Sequence, residues 1–311
     1  MLRPDPDPQG ATIVVTGAFS YTGKYATYLL LQRGYQIRTL TFHPNRESPF
    51  GERVQVFPYH FDRPDKLRAI LHGASTLINT YWVRFPRGSS TFEAAVRNTR
   101  VLIQAATDAG VQRIVHVSIA NPSLDSALGY YRGKARLEQT FRDSGLSYAI
   151  LRPAVIFGRE DILINNIAWF VRRFPLFLIP GDGRYQIQPI CVEDMAELIV
   201  GAVEREDNYV LEAVGPEIFT FEELVKLIGA AVDRPVHVLH LPVPVVYLTT
   251  RVTGWFLRDV VLTWEEYRGL MHNLLVSDCS PTGKTRLSQW LHENHRHLGV
   301  QYASELARHF R

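Results

Sequence analysis

At roughly 150 residues per domain, the 311 residues of the chain suggest two units, or one large domain with an appended lobe, and exclude a miniprotein that needs staples. With 46% hydrophobic and 21% charged residues it can bury a sizeable core, and it is neither disordered nor collagen-like. Lys plus Arg at 34 against Asp plus Glu at 31 leaves +3, too little to make nucleic acid the default partner.

Residues 1–10 carry Arg3, Asp5 and Asp7 among prolines, with no apolar stretch of the secretory kind, and read as a flexible arm. Two cysteines, Cys191 and Cys279, form no CxxC framework, which fits a reducing, cytoplasmic setting. From residue 11 onward short β-branched runs alternate with helical patterns, the mark of parallel βαβ units. Strands are expected at 11–16, 36–41, 53–58, 76–80, 113–118 and 147–151, and helices at 21–33, 65–72, 91–109 and 130–143. Glycines at 34, 73, 110 and 145 close the helices where a left-handed cap is wanted. The expected fold is α/β, a Rossmann-type doubly wound parallel sheet over 11–153, followed by a smaller α+β substrate-binding lobe over 154–311. Whether the chain crosses back into the first domain stays open.

In the second part the pattern predicts a helix at 163–173, a loop at 180–184, a strand at 186–192, a helix at 193–204, a strand at 209–213, a helix at 221–232 and further helices beyond Pro242 and Pro244. The run 162–180 is interrupted by Arg172, Arg173 and Pro175 and falls short of the ~20 apolar residues of a membrane span. Its segment 162–178 is a candidate for peripheral membrane contact, with burial as core or cleft lid the preferred reading. His292 to His297 lacks the second histidine of HExxH, so no metal site is expected.

Directly after the first strand stands Thr16-Gly17-Ala18-Phe19-Ser20-Tyr21-Thr22-Gly23, leading into a helix. Glycines suit such a turn because the chain must bend tightly and its backbone must approach a pyrophosphate, whose charge then meets N–H groups at a helix N-terminus. An ordinary strand-to-helix turn is the plain alternative. The stretch resembles the TGxxGxxG fingerprint of the extended and atypical short-chain dehydrogenase/reductases, with Ser20 in place of the middle glycine. The resemblance implies a bound nicotinamide nucleotide, with Gly17, Phe19, Ser20, Tyr21, Thr22 and Gly23 around its phosphates.

An NAD site usually ends the second strand with an acid for the ribose hydroxyls, whereas a 2′-phosphate wants positive charge. Residues 37–46 contain no acid, and Arg38, His43 and Arg46 are candidates for a phosphate clamp, so NADP is favoured over NAD, although Phe42 stands where relatives often place an arginine. Asp62 resembles the family acid that meets adenine; capping the following helix is the equal alternative. Asn79 and Thr80, ending the fourth strand, are expected to line the dinucleotide cleft, and Tyr81 and Trp82 to wall a substrate pocket or simply to pack.

Ser118 ends the fifth strand, and Tyr130 and Lys134, four residues apart, share one face of the next helix. A tyrosine near pKa 10 is a poor base at neutral pH, and an adjacent ammonium favours its phenolate. The three resemble the family's Ser, Tyr-xxx-Lys triad, which implies a proton from Tyr130, a field from Lys134 and a hydrogen bond from Ser118 to the reacting oxygen. A solvent-exposed aromatic with a charged neighbour is the plain alternative, and Tyr131 is a rival to Tyr130. Residues 152–158 resemble the family's RPxxxxG element, where the backbone of Pro153 and Val155 would hold the nicotinamide carboxamide.

Along its length the chain resembles nitrogen-metabolite-repressor-like proteins, the nucleotide-binding accessory subunit of respiratory complex I, and nucleotide-sugar epimerases and dehydratases. The reading favoured by the triad is an NADP-dependent oxidoreductase or epimerase acting on a carbonyl or hydroxyl small molecule. The alternative is a non-catalytic NADP-binding structural, assembly or redox-sensing protein. Neither the substrate nor the oligomeric state is legible here.

Overall fold

The computed structural model describes residues 10–310; the arm expected at 1–10 lies, Gly10 apart, outside the described residues. Contacts divide the chain into two compact units, one made of the part up to Pro153 with 192–213, the other of 154–191 with the part from Val214 onward.

The first unit runs β1 (Thr12–Thr16), α1 (Tyr21–Gln32), β2 (Gln36–Thr41), β3 (Val54–Pro58), α2 (Pro64–Leu71), β4 (Ala74–Asn79), α3 (Phe92–Asp108), β5 (Arg113–Val117), α4 (Gly129–Asp143), β6 (Ser147–Pro153), α5 (Val192–Val203) and β7 (Tyr209–Ala213). Its seven strands form one sheet in the order β7-β6-β5-β4-β1-β2-β3, every neighbouring pair parallel. All five residues of β1 and of β5 are buried, as in strands covered by helices on both faces. Val14, Leu40, Leu77, Ile114 and Ile150 meet Leu67 and Leu71 of α2, Leu102 of α3, and Leu137 and Phe141 of α4 in one core. The chain leaves β1 towards β2 and β3 and returns to β4 on the other side, so the order reverses at the carboxyl ends of β1 and β4. That reversal is where open α/β sheets hold their ligands.

The sequence pattern ends the first domain at 153 and leaves open whether the chain crosses back into it; in the structure α5 and β7 do return and complete the first unit. Strand β7 extends the sheet beside β6, with Tyr209 opposite Ala149 and Ala213 opposite Pro153, and α5 packs on α1. Arg113 ties this return to the sheet: its Nε donates to the Ala202 carbonyl at 2.7 Å and its Nη2 to that of Asp207 at 3.2 Å.

In the second unit, helix Leu163–Arg173 buries Ile164, Ile167, Ala168 and Val171 against Leu224, Val225 and Ile228 of helix Phe221–Ala231. Arg172 donates to the carbonyls of Leu298 at 2.8 Å and His295 at 2.6 Å, so residues 164–171 are interior structure with Arg172 engaged inside the unit, while residues 173–176 are exposed. The single strand expected at 186–192 is two, Gln186–Ile187 and Pro189–Cys191. Between them the buried Gln188 side chain donates to the Gly215 carbonyl and accepts from Ser277 N–H. Strands Val155–Phe157, Leu176–Pro180 and His237–Leu241, absent from the sequence reading, form two further small parallel pairs, the first with Pro189–Cys191 and the other two with each other. Among the described residues no helix is long and apolar enough to cross a membrane.

Two glycines give opposite expectations. A methyl group on Gly23 of α1 would stand 2.1 Å from the Gly17 carbonyl oxygen, whereas one on Gly201 of α5 would meet nothing within 4 Å. Urea unfolding should therefore show Gly23→Ala less stable by about 1–3 kcal/mol and Gly201→Ala more stable by about 0.5–1 kcal/mol.

Candidate functional site

The turn between β1 and α1 is held by backbone. Gly17 adopts φ +72°, its N–H donates to the Leu40 carbonyl at 2.8 Å, and its own carbonyl accepts from Ser20 N–H at 2.8 Å. Ala18 N–H donates to Thr39 Oγ1 at 3.0 Å, and Thr39 in turn donates to Val15. Ser20 stands at the N-cap of α1 with its side chain making no capping bond, so the hydroxyl that replaces the middle glycine is not committed to the helix. Tyr21, Thr22 and Gly23 form the first turn, whose N–H groups have no carbonyl ahead of them within the helix. Phe19 packs on Phe50, ring centroids 6.3 Å apart. The Ser20 hydroxyl lies within this turn, 3.3 Å and 3.0 Å from where a Cβ on Gly17 or Gly23 would stand, and a glycine-built backbone turn at a helix N-terminus fits a pyrophosphate.

Beside it, Thr16 Oγ1 accepts from Thr80 N–H at 2.8 Å and Tyr81 N–H at 3.0 Å, and Thr80 Oγ1 donates back to the Thr16 carbonyl. Asn79 is fully buried, accepting from Thr16 and donating to His116 Nδ1 at 3.1 Å. It therefore locks strand ends together, and Thr80 is the half-exposed member of the pair. Past the ends of β2, β3 and β4 stand Phe42, Tyr59, Phe61 and Tyr81, whose rings lie 4.5 to 6.1 Å apart. Burial pushes the Tyr59 hydroxyl well above its ordinary value, opposed by a side-chain hydrogen bond with Thr16. Aromatic residues just past three strand ends were the available signal for this cluster.

The candidate clamp divides. Arg38 Nη1 donates to the carbonyls of Ile70 and His72, both at 2.8 Å, closing the C-terminal end of α2. His43 and Arg46 are exposed on the loop after β2. Asp62 is also exposed, 3.6 Å from its neighbour Arg63.

Ser118 is buried and donates to Glu138 Oε1 at 2.6 Å. Arg152 grips the same carboxylate with Nε at 2.9 Å and Nη2 at 2.6 Å and reaches Glu212 with Nη1 at 3.0 Å. Lys134, buried, donates to the Val117 carbonyl at 2.8 Å and lies 4.9 Å from the Trp82 ring centroid. Burial holds its amine down to about 7, against a smaller upward pull from Glu138. Burial and the Lys134 charge both hold the His116 imidazole well below its ordinary value, and its Nε2 has no hydrogen-bond partner among the described residues. Tyr130 is half-buried, edge-on to Trp82 at 5.7 Å and to Phe92 at 5.8 Å. Gly133 makes room for this indole, since a methyl there would stand 2.6 Å from Trp82 Cη2. The indole Nε1 is buried with no hydrogen-bond partner among the described residues.

The structure thus brings Ser118 and Lys134 to adjacent backbone at the end of β5, and sets Tyr130 one turn before Lys134 on α4. Pro153 ends β6, its carbonyl accepting from Ala120 N–H at 2.8 Å, while Val155 belongs to the second unit, where it pairs with Pro189. Glu138, which organises the cluster, escaped the motif pattern. Its spacing, four residues beyond Lys134 on the same helix face, was the sole hint.

Two outcomes follow from this geometry. A lysine neutral in the fold from about pH 7 but protonated in the unfolded chain up to about pH 10.5 makes stability rise with pH between those values. Relative to Lys134→Met, the wild-type unfolding free energy should therefore climb by a few kcal/mol from pH 7 to 10 in urea titrations, and stay level below pH 6. Arg152→Met leaves the buried Glu138 carboxylate without its main counter-charge and should cost about 3–5 kcal/mol in the same measurement at pH 7.

Residues 17–163 match the NAD(P)H-binding family. Among curated relatives, the mitochondrial NADH dehydrogenase [ubiquinone] 1 alpha subcomplex subunit 9 of Dictyostelium discoideum is 30% identical over 76% of this chain and 67% of its own length. The Arabidopsis thaliana subunit of the same name is 27% identical over 76% of this chain. The match spans 61% of that relative's length. Among solved structures, Citrobacter sp. triphenylmethane reductase complexed with NADP(H) superposes with TM-score 0.72 at 18% identity, covering 91% of this chain and 99% of that one. With the parallel sheet, the glycine turn at its switch point and these likenesses in hand, the chain belongs to the extended short-chain dehydrogenase/reductase superfamily, as an NAD(P)-binding member akin to the complex I subunit 9 proteins.

Proposed function

We propose that the protein holds NADP(H) as a bound structural or sensing ligand and acts as a non-catalytic accessory or assembly factor for a larger protein complex. The observation that carries this reading is the Ser118 to Glu138 hydrogen bond. A hydroxyl has one proton to donate, and that of Ser118 points at a carboxylate gripped by Arg152, so a substrate carbonyl would receive no donor from it. Lys134 is turned to the Val117 carbonyl and the Trp82 face, and its lowered pKa leaves it about half neutral near pH 7. A weakened ammonium does little to stabilise a phenolate at Tyr130. The likeness to named subunits of a respiratory complex supports a role among protein partners.

A second reading, an NADP-dependent oxidoreductase or epimerase of a small carbonyl or hydroxyl compound, is favoured by Tyr130 and Lys134 sharing one face of α4. A bound nicotinamide nucleotide supplies reversible hydride transfer; in this reading Tyr130 would hold or release the proton and Lys134 would set its affinity. The NADP preference rests on residues 37–46, which hold no acid, and on His43 and Arg46, exposed where a 2′-phosphate would be met.

Calorimetry with NADPH and NADH, followed by a carbonyl-substrate panel read at the nicotinamide absorbance, tests both. NADPH should bind at least about tenfold more tightly than NADH, with His43→Ala/Arg46→Ala removing most of the difference. Tyr130→Phe should bind like wild type, and neither should consume NADPH. Turnover abolished by Tyr130→Phe would establish the enzyme instead, and no heat with either nucleotide would overturn both readings.

A further inference from the structure

Helix Val243–Leu257 of the second unit is largely apolar. It has no acidic residue, its one charged residue is Arg251, and Arg258 caps its end in the left-handed conformation. A helix of that composition is ordinarily buried, yet only Val246 and Gly254 are. Its inner side packs on strand Leu176–Pro180. Its outer side exposes Trp255 at 75%, Phe256 at 72% and Leu248 at 65%, together with Val245 and Val252. At about 100° per residue these five with Pro244 fall within an arc of about 120°, and Arg251 and Arg258 border one edge of it.

The chemistry of that arc selects its occupant. Thr249, Thr250 and Thr253 turn their hydroxyls back onto the carbonyls of Val246, Tyr247 and Thr249 of the same helix. The outer arc, of Pro244, Val245, Leu248, Val252, Trp255 and Phe256, offers one neutral hydrogen-bonding group, the Trp255 indole N–H, and an indole with one apolar and one wet end suits a headgroup boundary. A protein interface of this size carries about one hydrogen bond per 100–200 Å², whereas hydrocarbon asks for none. Asp259, the nearest acid, is buried and accepts from the N–H groups of Glu305 and Leu306, both at 2.9 Å. Glu266 caps the next helix by accepting from Thr263 N–H. Beside Tyr247 the half-exposed Trp264 adds a further indole, centroids 5.2 Å apart. At about 22 Å the helix is too short to span a bilayer. We propose that it lies flat in the headgroup boundary of an anionic lipid bilayer, with Trp255, Phe256 and Leu248 inserted and Arg251 and Arg258 on lipid phosphates. The proposal is independent of the nucleotide site.

Vesicle flotation of the full chain tests it. Vesicles of equimolar phosphatidylglycerol and phosphatidylcholine should carry the protein up the gradient, and phosphatidylcholine alone should hold it roughly 30-fold more weakly, as should the anionic vesicles after Arg251→Gln/Arg258→Asn. Trp255→Ser/Phe256→Ser should weaken binding at least about a hundredfold. Both residues are mostly solvent-exposed, so the far-ultraviolet spectrum and NADPH binding of these variants should match wild type. No flotation with either vesicle, or flotation indifferent to Trp255→Ser/Phe256→Ser, overturns the proposal. Self-association in solution abolished by that double substitution, without vesicle binding, would overturn it in favour of a second copy of the chain.

Discussion

The first unit is organised by a contact with no side chain in it. Helix α1 reaches the sheet because Gly23 lets the Gly17 carbonyl come closer than any Cβ would allow, and Gly17 can point that carbonyl inward because it occupies a left-handed conformation. From that turn the rest is determined. Thr16 closes β1 onto the strand end of β4, Thr39 closes β2 onto Ala18, and the first N–H groups of α1 are left facing the switch point of the sheet. Larger residues at 17 or 23 would push the helix outward and open all of these bonds together. A site assembled from backbone in this way recognises the shape and charge of a phosphate diester more than the identity of what is attached to it. That is why nucleotide binding and chemistry can be separated within one fold.

Chemistry would have to come from the end of β5 and from α4, where a buried carboxylate governs the electrostatics. Glu138 receives Ser118 and the fork of Arg152, an arrangement in which each polar atom has its partner and little is left to respond to a substrate. Lys134 lies one turn away but gains less from Glu138 than burial removes. The same residues in a wetter pocket would form a proton-transfer site. In the proposed non-catalytic reading, the balance between desolvation and pairing makes them a structural cluster around Trp82, whose ring occupies the space opened by Gly133. Triad residue types therefore do not by themselves specify the reaction; on the proposed reading, the Ser118 hydroxyl's engagement with Glu138 separates the two outcomes.

The alternation of β-branched runs and helical patterns made the parallel sheet legible, since β1, β3, β4 and β5 are continuous apolar or β-branched runs each followed by a helix. The glycine turn was legible too, because its requirement is written in residue type. Arg38 shows the limit. A basic residue on β2 reads as a phosphate ligand, but its register opposite Val14 and Gln55 places it mid-strand, where the last carbonyls of α2 take its guanidinium. The short strands Val155–Phe157 and Leu176–Pro180, of three and five residues, left no periodic trace, because neither sits in a regular strand–helix alternation and their pairing partners lie more than thirty residues away. The return of 192–213 to the first unit depends on Arg113 and on pairing to β6, neither of which a local pattern records.

Two apolar helices of the second unit make the same point about membranes. Helix Leu163–Arg173 ends in two arginines, and by composition it is the better surface-binding candidate. In the fold its apolar face packs against helix Phe221–Ala231, and Arg172 is consumed by the carbonyls of His295 and Leu298. Helix Val243–Leu257 carries a single arginine and no contrast between faces, so a search for amphipathic character passes over it. Its exposure arises because the inner side needs only Val246 and Gly254 to seat it; Gly254 lets the Asp259 carbonyl approach to 2.6 Å of where a Cβ would be. The close seating leaves a full apolar arc outside, and the threonines have already withdrawn their hydroxyls to the backbone. Amphipathicity here belongs to the assembled unit rather than to the helix, with Trp255 and Phe256 at the exposed end where the chain turns at Arg258.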